Sequence, residues 1–137
     1  MQNLIVNLAV RDIRESLTYY KEILGFTPTM AVPEDKSSFS PVLADSKRYL
    51  FAIVQSGGVE IMLQEQNSLK DDVCDFFHSI GASATLYIRV DNVDEWYDRV
   101  SQKAEVVRQI ETTWYGMREF YIRDVNGYIL CFATQVA

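Results

Sequence analysis

Very few residues of this 137-residue chain have side chains that commonly act as nucleophiles or soft metal ligands. There is one histidine, His78, and there are two cysteines, Cys74 and Cys131, with no Cys-x-x-Cys pair. Zinc sites and histidine-based catalysis usually draw on several such residues, so these counts argue against both. We expect the two cysteines to be reduced thiols, although the sequence alone leaves a disulfide open.

Cys131 lies in a strand-like run of alternating large residues that follows the turn 124–127. A nucleophilic or redox-sensing cysteine needs a nearby base or positive charge that lowers its pKa. His78 belongs to a different predicted element, whereas Arg89 is a candidate on the same predicted face. We expect Cys131 to be a small, polarizable wall residue, and a reactive thiol is the functional alternative.

The most distinctive stretch is WYGMREF, residues 114–120, in which two large aromatic residues precede a glycine. Trp114 and Tyr115 fall in a turn-like context that a strand would not hide. Aromatic faces stack on planar ligands and attract cations, so both residues are candidates for ligand binding. The alternative is that Trp114 anchors this loop against the core.

The elements that would position these residues follow one order twice along the chain. Residues 3–66 read as strand, helix and three strands, and residues 83–136 repeat that plan. Asp12 and Asn92 are predicted helix caps, each with a glutamate three residues later. A connecting helix is predicted over residues 67–82. The sequence therefore predicts an α+β fold of two βαβββ modules.

Alternation along the strands divides each predicted sheet into a face under the helices and an open face. The open face mixes apolar surface with a few polar groups, which is typical of a cup that holds a small molecule. A dimer or sheet interface with incidental polar groups is the alternative. The candidate ligand-binding residues of the open face are Ile5, Asn7, Glu60, Met62, Gln64, Thr85, Tyr87, Arg89 and Cys131.

Phe120 joins these candidates only through the predicted register of the last hairpin. If the hairpin closes with Arg123 opposite Tyr128, Phe120 shares the open face with Cys131 and lines the cup. A shift of one residue would move Phe120 to the other face.

Composition and charge exclude several broad classes of protein. The net charge of −6 and the isoelectric point near 4.7 argue against general nucleic-acid binding. No apolar run reaches the roughly 18 residues that a membrane span needs, and the N-terminus lacks the pattern of a signal peptide. We therefore expect a single cytoplasmic domain over residues 1–137, with neither nucleic acid nor membrane as a partner.

The order and spacing of four segments resemble the vicinal oxygen chelate superfamily, which includes glyoxalase I, extradiol dioxygenases, fosfomycin resistance enzymes and bleomycin resistance proteins. The segments are NLAVRDIRESLTYYKEILGF (7–26), GVEIMLQE (58–65), LYIRVDNVDEW (86–96) and WYGMREFYIRDVNGYILCFA (114–133). The resemblance implies two βαβββ modules whose curved mixed sheets surround a cavity, and it implies a homodimer.

In metal-dependent members of that superfamily, four equivalent strand positions supply the ligands, commonly histidine or glutamate. By position within each motif, the resemblance assigns these positions to Ile5, Met62, Thr85 and Cys131. Isoleucine has no lone pair to donate, and methionine and threonine are weak ligands for a divalent cation. Only a cysteine thiolate binds zinc well. We therefore expect neither a metal nor another cofactor.

The run 114–120 is most similar to the bleomycin resistance protein-like branch, whose members bind a flat cationic drug in clefts at a dimer interface. This resemblance implies metal-independent capture of an aromatic or cationic compound, with no catalytic residue assigned. One alternative is a glyoxalase-like, metal-dependent lyase or dioxygenase. Another is a domain whose cup is vestigial and whose role is protein association.

Overall fold

The computed structural model describes residues 2–81 and 83–136, which divide into two compact units. The first unit ends at Ile80, and the second begins at Gly81. Each unit contains one four-stranded mixed sheet and few helices. None of the helices in the described ranges is long and apolar enough to cross a membrane. The predicted plan of two βαβββ modules is confirmed.

The first unit is built on the strand order β1-β4-β3-β2. Strand β1 pairs with β4 in parallel, and the other neighbours are antiparallel. Its elements are β1 (Val6–Val10), α1 (Ile13–Thr18), β2 (Thr27–Pro33), β3 (Tyr49–Ser56), β4 (Val59–Glu65) and α2 (Gln66–Asp72). Helix α1 continues directly into a π-helical turn over Tyr19–Ile23.

The second unit repeats the same topology as β5-β8-β7-β6, again with its first and last strands parallel. Its elements are β5 (Thr85–Arg89), α3 (Val93–Val100), β6 (Glu105–Thr112), β7 (Met117–Arg123) and β8 (Ile129–Gln135). Tyr87 lies opposite Cys131 in this unit, as Asn7 lies opposite Met62 in the first. The predicted internal repeat is therefore confirmed down to the pairing of single residues.

Both predicted helix caps are present. The Asp12 carboxylate accepts a hydrogen bond from the Glu15 backbone N–H at 3.0 Å. The Asn92 side-chain oxygen accepts one from the Glu95 N–H at 3.4 Å. Each cap satisfies a backbone donor that has no partner within the helix, so the start of each helix is set by its own sequence.

The two units bury chemically different faces of their sheets. In the first unit the buried side chains on the helix-facing side of β1 and β4 are aliphatic, as at Val10 and Leu63. In the second unit Phe132 is fully buried, and its ring stacks on Trp96 of α3 at 4.8 Å and on Phe120 at 5.5 Å. The helix-facing sides follow the predicted alternation in both units.

Two predicted element boundaries were wrong. Strand β1 begins at Val6, and Leu4 is 90% exposed rather than packed under the helix. The connecting helix predicted over 67–82 begins at Gln66 and ends at Asp72. The residues that follow Asp72 include valine, cysteine and aspartate, which are weak helix formers. Ala82 lies outside the described residues.

The predicted register of the last hairpin was also wrong by one residue. Arg123 lies opposite Ile129, because Asp124 and Tyr128 form one more pair and leave a three-residue loop. Gly127 at the end of that loop has φ +94°, the left-handed conformation that three-residue hairpin loops require. Phe120 consequently lies opposite Phe132 on the helix-facing side and cannot line the open face.

Candidate functional site

The open face of the first unit carries Asn7, Met62 and Gln64, as the alternation predicted. Asn7 lies opposite Met62, and Gln64 follows two residues later on β4. Glu60 lies opposite Gln55 of β3, and Ile5 immediately precedes β1. The shared face is confirmed for the strand residues, whereas ligand binding by any of the five stays a prediction.

The polar groups of this face are largely engaged with one another. The Asn7 side-chain N–H donates to the Gln64 carbonyl at 2.9 Å. The Gln64 side-chain N–H group donates to Ser68 at 3.0 Å and to the Asp72 carboxylate at 2.6 Å. Because Asp72 is only an acceptor, these contacts fix which way both amides point. The network ties the sheet to α2 and leaves the Asn7 side-chain oxygen without a partner among the described residues.

A cleft of about 610 Å³ in the first unit is lined in part by Gln64, Ser68 and Asp72 of this network. Two carboxylates of its lining pair with its arginine. Arg48 lies 3.4 Å from Glu34 and 3.5 Å from Glu65, the carboxylate that also caps α2. Of the other predicted site residues, neither Asn7 nor Met62 lines the cleft. The lining combines charged groups with the apolar side chains of Val32, Leu50 and Phe51, and its arginine is paired with two carboxylates.

In the second unit the open face is organised around a carboxylate that the sequence analysis missed. Glu119 of β7 is only 4% exposed. The Tyr87 hydroxyl donates to one of its oxygens at 2.5 Å, and the Tyr115 hydroxyl donates to the other. The structure thus joins two predicted site residues from different elements through a third residue between them.

The hydrogen-bonded carboxylate makes its neighbouring tyrosines weaker acids. Burial of the hydroxyl raises the pKa of Tyr87 above its usual value, and the hydrogen bond and charge of Glu119 raise it further. The pKa of Tyr115 is raised chiefly by its hydrogen bond to Glu119. Burial likewise raises the pKa of Tyr121, which lies opposite Cys131. All three hydroxyls therefore remain protonated donors at neutral pH.

Cys131 is a fully buried, unreactive thiol. Burial raises its pKa to about 12; the Glu119 charge adds to the rise, and a hydrogen bond with Tyr121 opposes it. A cysteine acts as a nucleophile or as a metal ligand only after it has lost its proton to become a thiolate, and this environment disfavours the thiolate. This environment argues against the reactive-thiol alternative. Cys131 lines neither the cleft of the first unit nor the pocket beside the turn between β6 and β7, so its role as a wall residue of a ligand site stays a prediction.

Trp114 and Tyr115 form the tip of the turn between β6 and β7. The Gly116 N–H bonds the Thr113 carbonyl at 3.2 Å, and Gly116 has φ +81°. The Thr113 backbone N–H bonds the Met117 carbonyl at 2.7 Å. Trp114 is 94% exposed, so the interpretation of it as an anchor against the core was wrong. The hydrogen-bonded turn holds the Trp114 ring in solvent, whereas the Tyr115 ring reaches back to Glu119 of the sheet.

A pocket of about 540 Å³ lies between this turn and the sheet. Aromatic rings form much of its wall, and Glu119 is its buried carboxylate. Its lining residues are Arg108, Glu111, Thr112, Thr113, Trp114, Tyr115, Glu119 and Tyr121. Of the predicted site residues, Trp114 and Tyr115 line the pocket, and Tyr87 is linked to the pocket by its hydrogen bond to Glu119. Thr85 and Arg89 lie exposed on β5, outside the pocket lining.

One sequence signal could have located Glu119. The segment Val125-Asn126-Gly127 fits a three-residue hairpin loop with glycine in the left-handed position. That loop would have placed Arg123 opposite Ile129 and hence Glu119 opposite Ala133, as the structure does. The carboxylate was missed because the loop was taken to be one residue longer.

The sequence profile of the Glyoxalase/Bleomycin resistance protein/Dioxygenase superfamily matches residues 4–132. The chain belongs to this superfamily. Among the curated protein sequences, none matches the chain. The superfamily assignment therefore rests on the profile, and the paired βαβββ units agree with it.

Solved structures show the same fold at low sequence identity. TioX from Micromonospora sp. ML1 is 19% identical, with a TM-score of 0.71 over 99% of this chain and 98% of that one. A glyoxalase-related enzyme from Fulvimarina pelagi is 20% identical, with a TM-score of 0.73 over 98% and 89%. A glyoxalase/bleomycin resistance protein/dioxygenase family enzyme from Burkholderia phytofirmans PsJN is 17% identical, with a TM-score of 0.70 over 96% of this chain and 97% of that one. At these identities the likeness concerns the fold alone.

The metal that many superfamily members bind does not fit the residues of this chain. The equivalent positions hold Ile5, Met62, Thr85 and Cys131, and the only strong donor among them, Cys131, is a buried thiol with a pKa of about 12. Within residues 2–81 and 83–136, no three histidine, cysteine, aspartate or glutamate side chains come close enough together to hold a metal ion. No metal-dependent step can be assigned to these residues.

Proposed function

We propose that the protein captures a small aromatic or cationic compound without a metal, and that the site is the pocket of the second unit. The supporting observation is Trp114, which is 94% exposed on a hydrogen-bonded turn beside a pocket of about 540 Å³. A large aromatic side chain held in solvent gains free energy when a ligand covers it. The Tyr115 ring lies edge-on to it at 5.3 Å and extends the aromatic surface.

The expected contribution of Trp114 is large enough to measure. A planar ligand that covers about 100 Å² of the indole gains about 2.5 kcal/mol at 25 cal/mol per Å². That gain corresponds to an affinity change of nearly 100-fold. Trp114→Ala should remove most of it while leaving the fold intact, because the side chain has little contact with the core.

The protein's intrinsic fluorescence provides the test. In a Trp96→Phe background, Trp114 is the only remaining tryptophan, and its emission should change when a planar cation such as proflavine binds. Phe76→Ala is the matched control, since Phe76 is 57% exposed and lies in the first unit. The variants are compared through the fluorescence of proflavine itself, and we expect Trp114→Ala to weaken binding at least 10-fold and Phe76→Ala to change it less than 2-fold.

Metal analysis separates this proposal from the enzymatic alternative. The protein should bind the same compounds after chelator treatment, and elemental mass spectrometry should find no stoichiometric metal. A stoichiometric metal together with turnover of glyoxalase or dioxygenase substrates would contradict the proposal. If a broad panel of planar compounds fails to bind and protein partners are captured instead, the protein-association alternative replaces it.

The homodimer implied by the resemblance remains a prediction. Light scattering on the purified chain gives its mass in solution directly. A mass near twice 15.8 kDa is expected.

A further inference from the structure

Glu119 is a buried carboxylate that has no ion pair among the described residues of the second unit. Within residues 83–136, no lysine, arginine or histidine forms an ion pair with it. Arg108 pairs with Glu111 at 3.0 Å, and Arg118 pairs with Asp94 at 3.0 Å. Burying a charge costs several kcal/mol unless it is paired and hydrogen-bonded. The tyrosine hydroxyls supply hydrogen bonds to Glu119 but no positive charge.

The carboxylate retains hydrogen-bonding capacity toward the pocket. Each oxygen accepts one tyrosine hydroxyl, whereas a carboxylate can accept about four hydrogen bonds in total. Glu111 lies directly opposite Glu119 on β6, so a second acidic residue lines the same pocket. One guanidinium against two carboxylates leaves the lining with a formal charge of −1. The pocket is therefore complementary to a cation that donates hydrogen bonds.

We propose that Glu119 selects the ligand of this pocket and that the ligand is a planar cation with N–H groups, such as an amidinium, a guanidinium or a protonated aromatic amine. The inference rests on the proposed function, because it assigns the charged end of the compound that Trp114 covers. Charge-assisted N–H···O bonds to Glu119 fix that end of the ligand. Tyr87 and Tyr115 are positioning residues, since their hydroxyls hold the carboxylate from both sides.

Three probes separate this mode of recognition from the others. Benzamidinium is a planar cation with N–H groups, benzamide has nearly the same shape without the charge, and phenyltrimethylammonium has the charge without the N–H groups. Aromatic rings alone would attract both cations, whereas a carboxylate that accepts N–H bonds favours benzamidinium. Calorimetry on the full chain measures all three affinities under one condition.

Benzamidinium should bind at least 10-fold more tightly than either of the other probes. Glu119→Gln should weaken benzamidinium binding about 10- to 100-fold and change benzamide binding less than 3-fold, since hydrogen bonds to charged groups are the strong ones. Glu105→Gln is the matched control, because this carboxylate lies outside the pocket lining and is paired with Arg123 at 3.2 Å. It should change benzamidinium binding less than 3-fold. Tyr115→Phe keeps the ring and should cause an intermediate loss.

Equal affinities for benzamidinium and benzamide, or an unchanged affinity in Glu119→Gln, would overturn the inference. If Glu119→Gln fails to fold, the comparison of probes on the unmodified protein and the Tyr115→Phe variant still decides the question. If the protein binds neutral planar compounds through Trp114 but does not bind planar cations, this inference is overturned and the proposed function stands. Binding of no planar compound of any charge would overturn both.

Discussion

The two units share one plan and one strand register but present different chemistry on their open faces. Where the first unit has Asn7 opposite Met62, the second has Tyr87 opposite Cys131. The counterpart of Glu119 is Phe51. Glu119 lies two residues before Tyr121, which pairs with Cys131, and Phe51 lies two residues before Ile53, which pairs with Met62. The repeat thus preserves the topology and the strand register, while the side chains of the open face differ.

The connections between equivalent strands differ just as much. Strands β2 and β3 are joined by the long polar segment 34–48, whereas β6 and β7 are joined by the tight turn 113–116. The tight turn holds two aromatic rings beside a buried carboxylate. In the first unit, the arginine of the cleft is paired with carboxylates, and the amide network leaves the Asn7 side-chain oxygen without a partner among the described residues. The proposed binding site accordingly lies in the second unit.

The largest effect is expected for the aromatic core that packs against the sheet of the second unit. Phe132→Ala should lower the free energy of unfolding by about 3–5 kcal/mol, because a fully buried ring that stacks on Trp96 and Phe120 is lost. Urea unfolding measures the loss, and near-UV circular dichroism reports the environment of Trp96. A loss below about 1 kcal/mol would mean that this core is not closely packed.

The next largest effect is expected for a substitution in the turn that holds Trp114, where the backbone of Gly116 has a positive φ. Gly116→Ala should cost about 1–2 kcal/mol, because φ +81° is unfavourable for a residue with a Cβ. Ligand binding should weaken as well, since the turn would shift. Gly58→Ala in the first unit is the matched control: a Cβ there meets nothing within 4 Å, and Gly58 does not have a positive φ. Equal costs at both glycines would argue against a strained turn.

Alkaline pH should act on the second unit through Cys131, for which Met62 is the non-titrating counterpart. Above its usual pKa of 9.0 the thiol is deprotonated in the unfolded chain, but the folded chain keeps the proton up to about pH 12. The free energy of unfolding should therefore fall as pH rises through this window, by at most about 1.4 kcal/mol per unit for one proton. Below pH 9 this group should have no effect.

Urea unfolding between pH 8.5 and 10 checks the alkaline prediction before most tyrosines titrate. Cys131→Ala should flatten the decline, whereas Cys74→Ser, at the exposed cysteine, should not. A decline that persists unchanged in Cys131→Ala would assign the effect to other groups.

The smallest expected effects compare the two helix caps. Asp12→Ala should destabilise the protein by about 1 kcal/mol, as is typical for loss of a side-chain cap. Asn92→Ala should cost less, because its bond to the Glu95 N–H is longer, at 3.4 Å against 3.0 Å. Thermal unfolding of both variants measures the order, and the reverse order would contradict this interpretation of the two distances.

Sequence patterns predicted the fold well because the repeat, the caps and the alternation are local signals. The shared open face of Asn7 and Met62, and that of Tyr87 and Cys131, was predicted from the alternation, whereas the pairing of these residues is a finding of the structure. Glu119 was missed because the open face of β7 depends on the length of one hairpin loop, and a shift of one residue exchanges the two faces. The exposure of Trp114 also could not be predicted, since it depends on how the turn is oriented on the sheet.

The most direct test of the central claim is a nuclear magnetic resonance titration of chelator-treated, ¹⁵N-labelled protein with benzamidine. The account predicts binding without metal, with the largest shifts at the Trp114 indole N–H and at the backbone amides of Tyr87, Tyr115 and Glu119. Shifts at Asn7, Gln64 and Ser68 should be small. Shifts concentrated in the first unit, or binding that appears only after a divalent metal is added, would contradict the account.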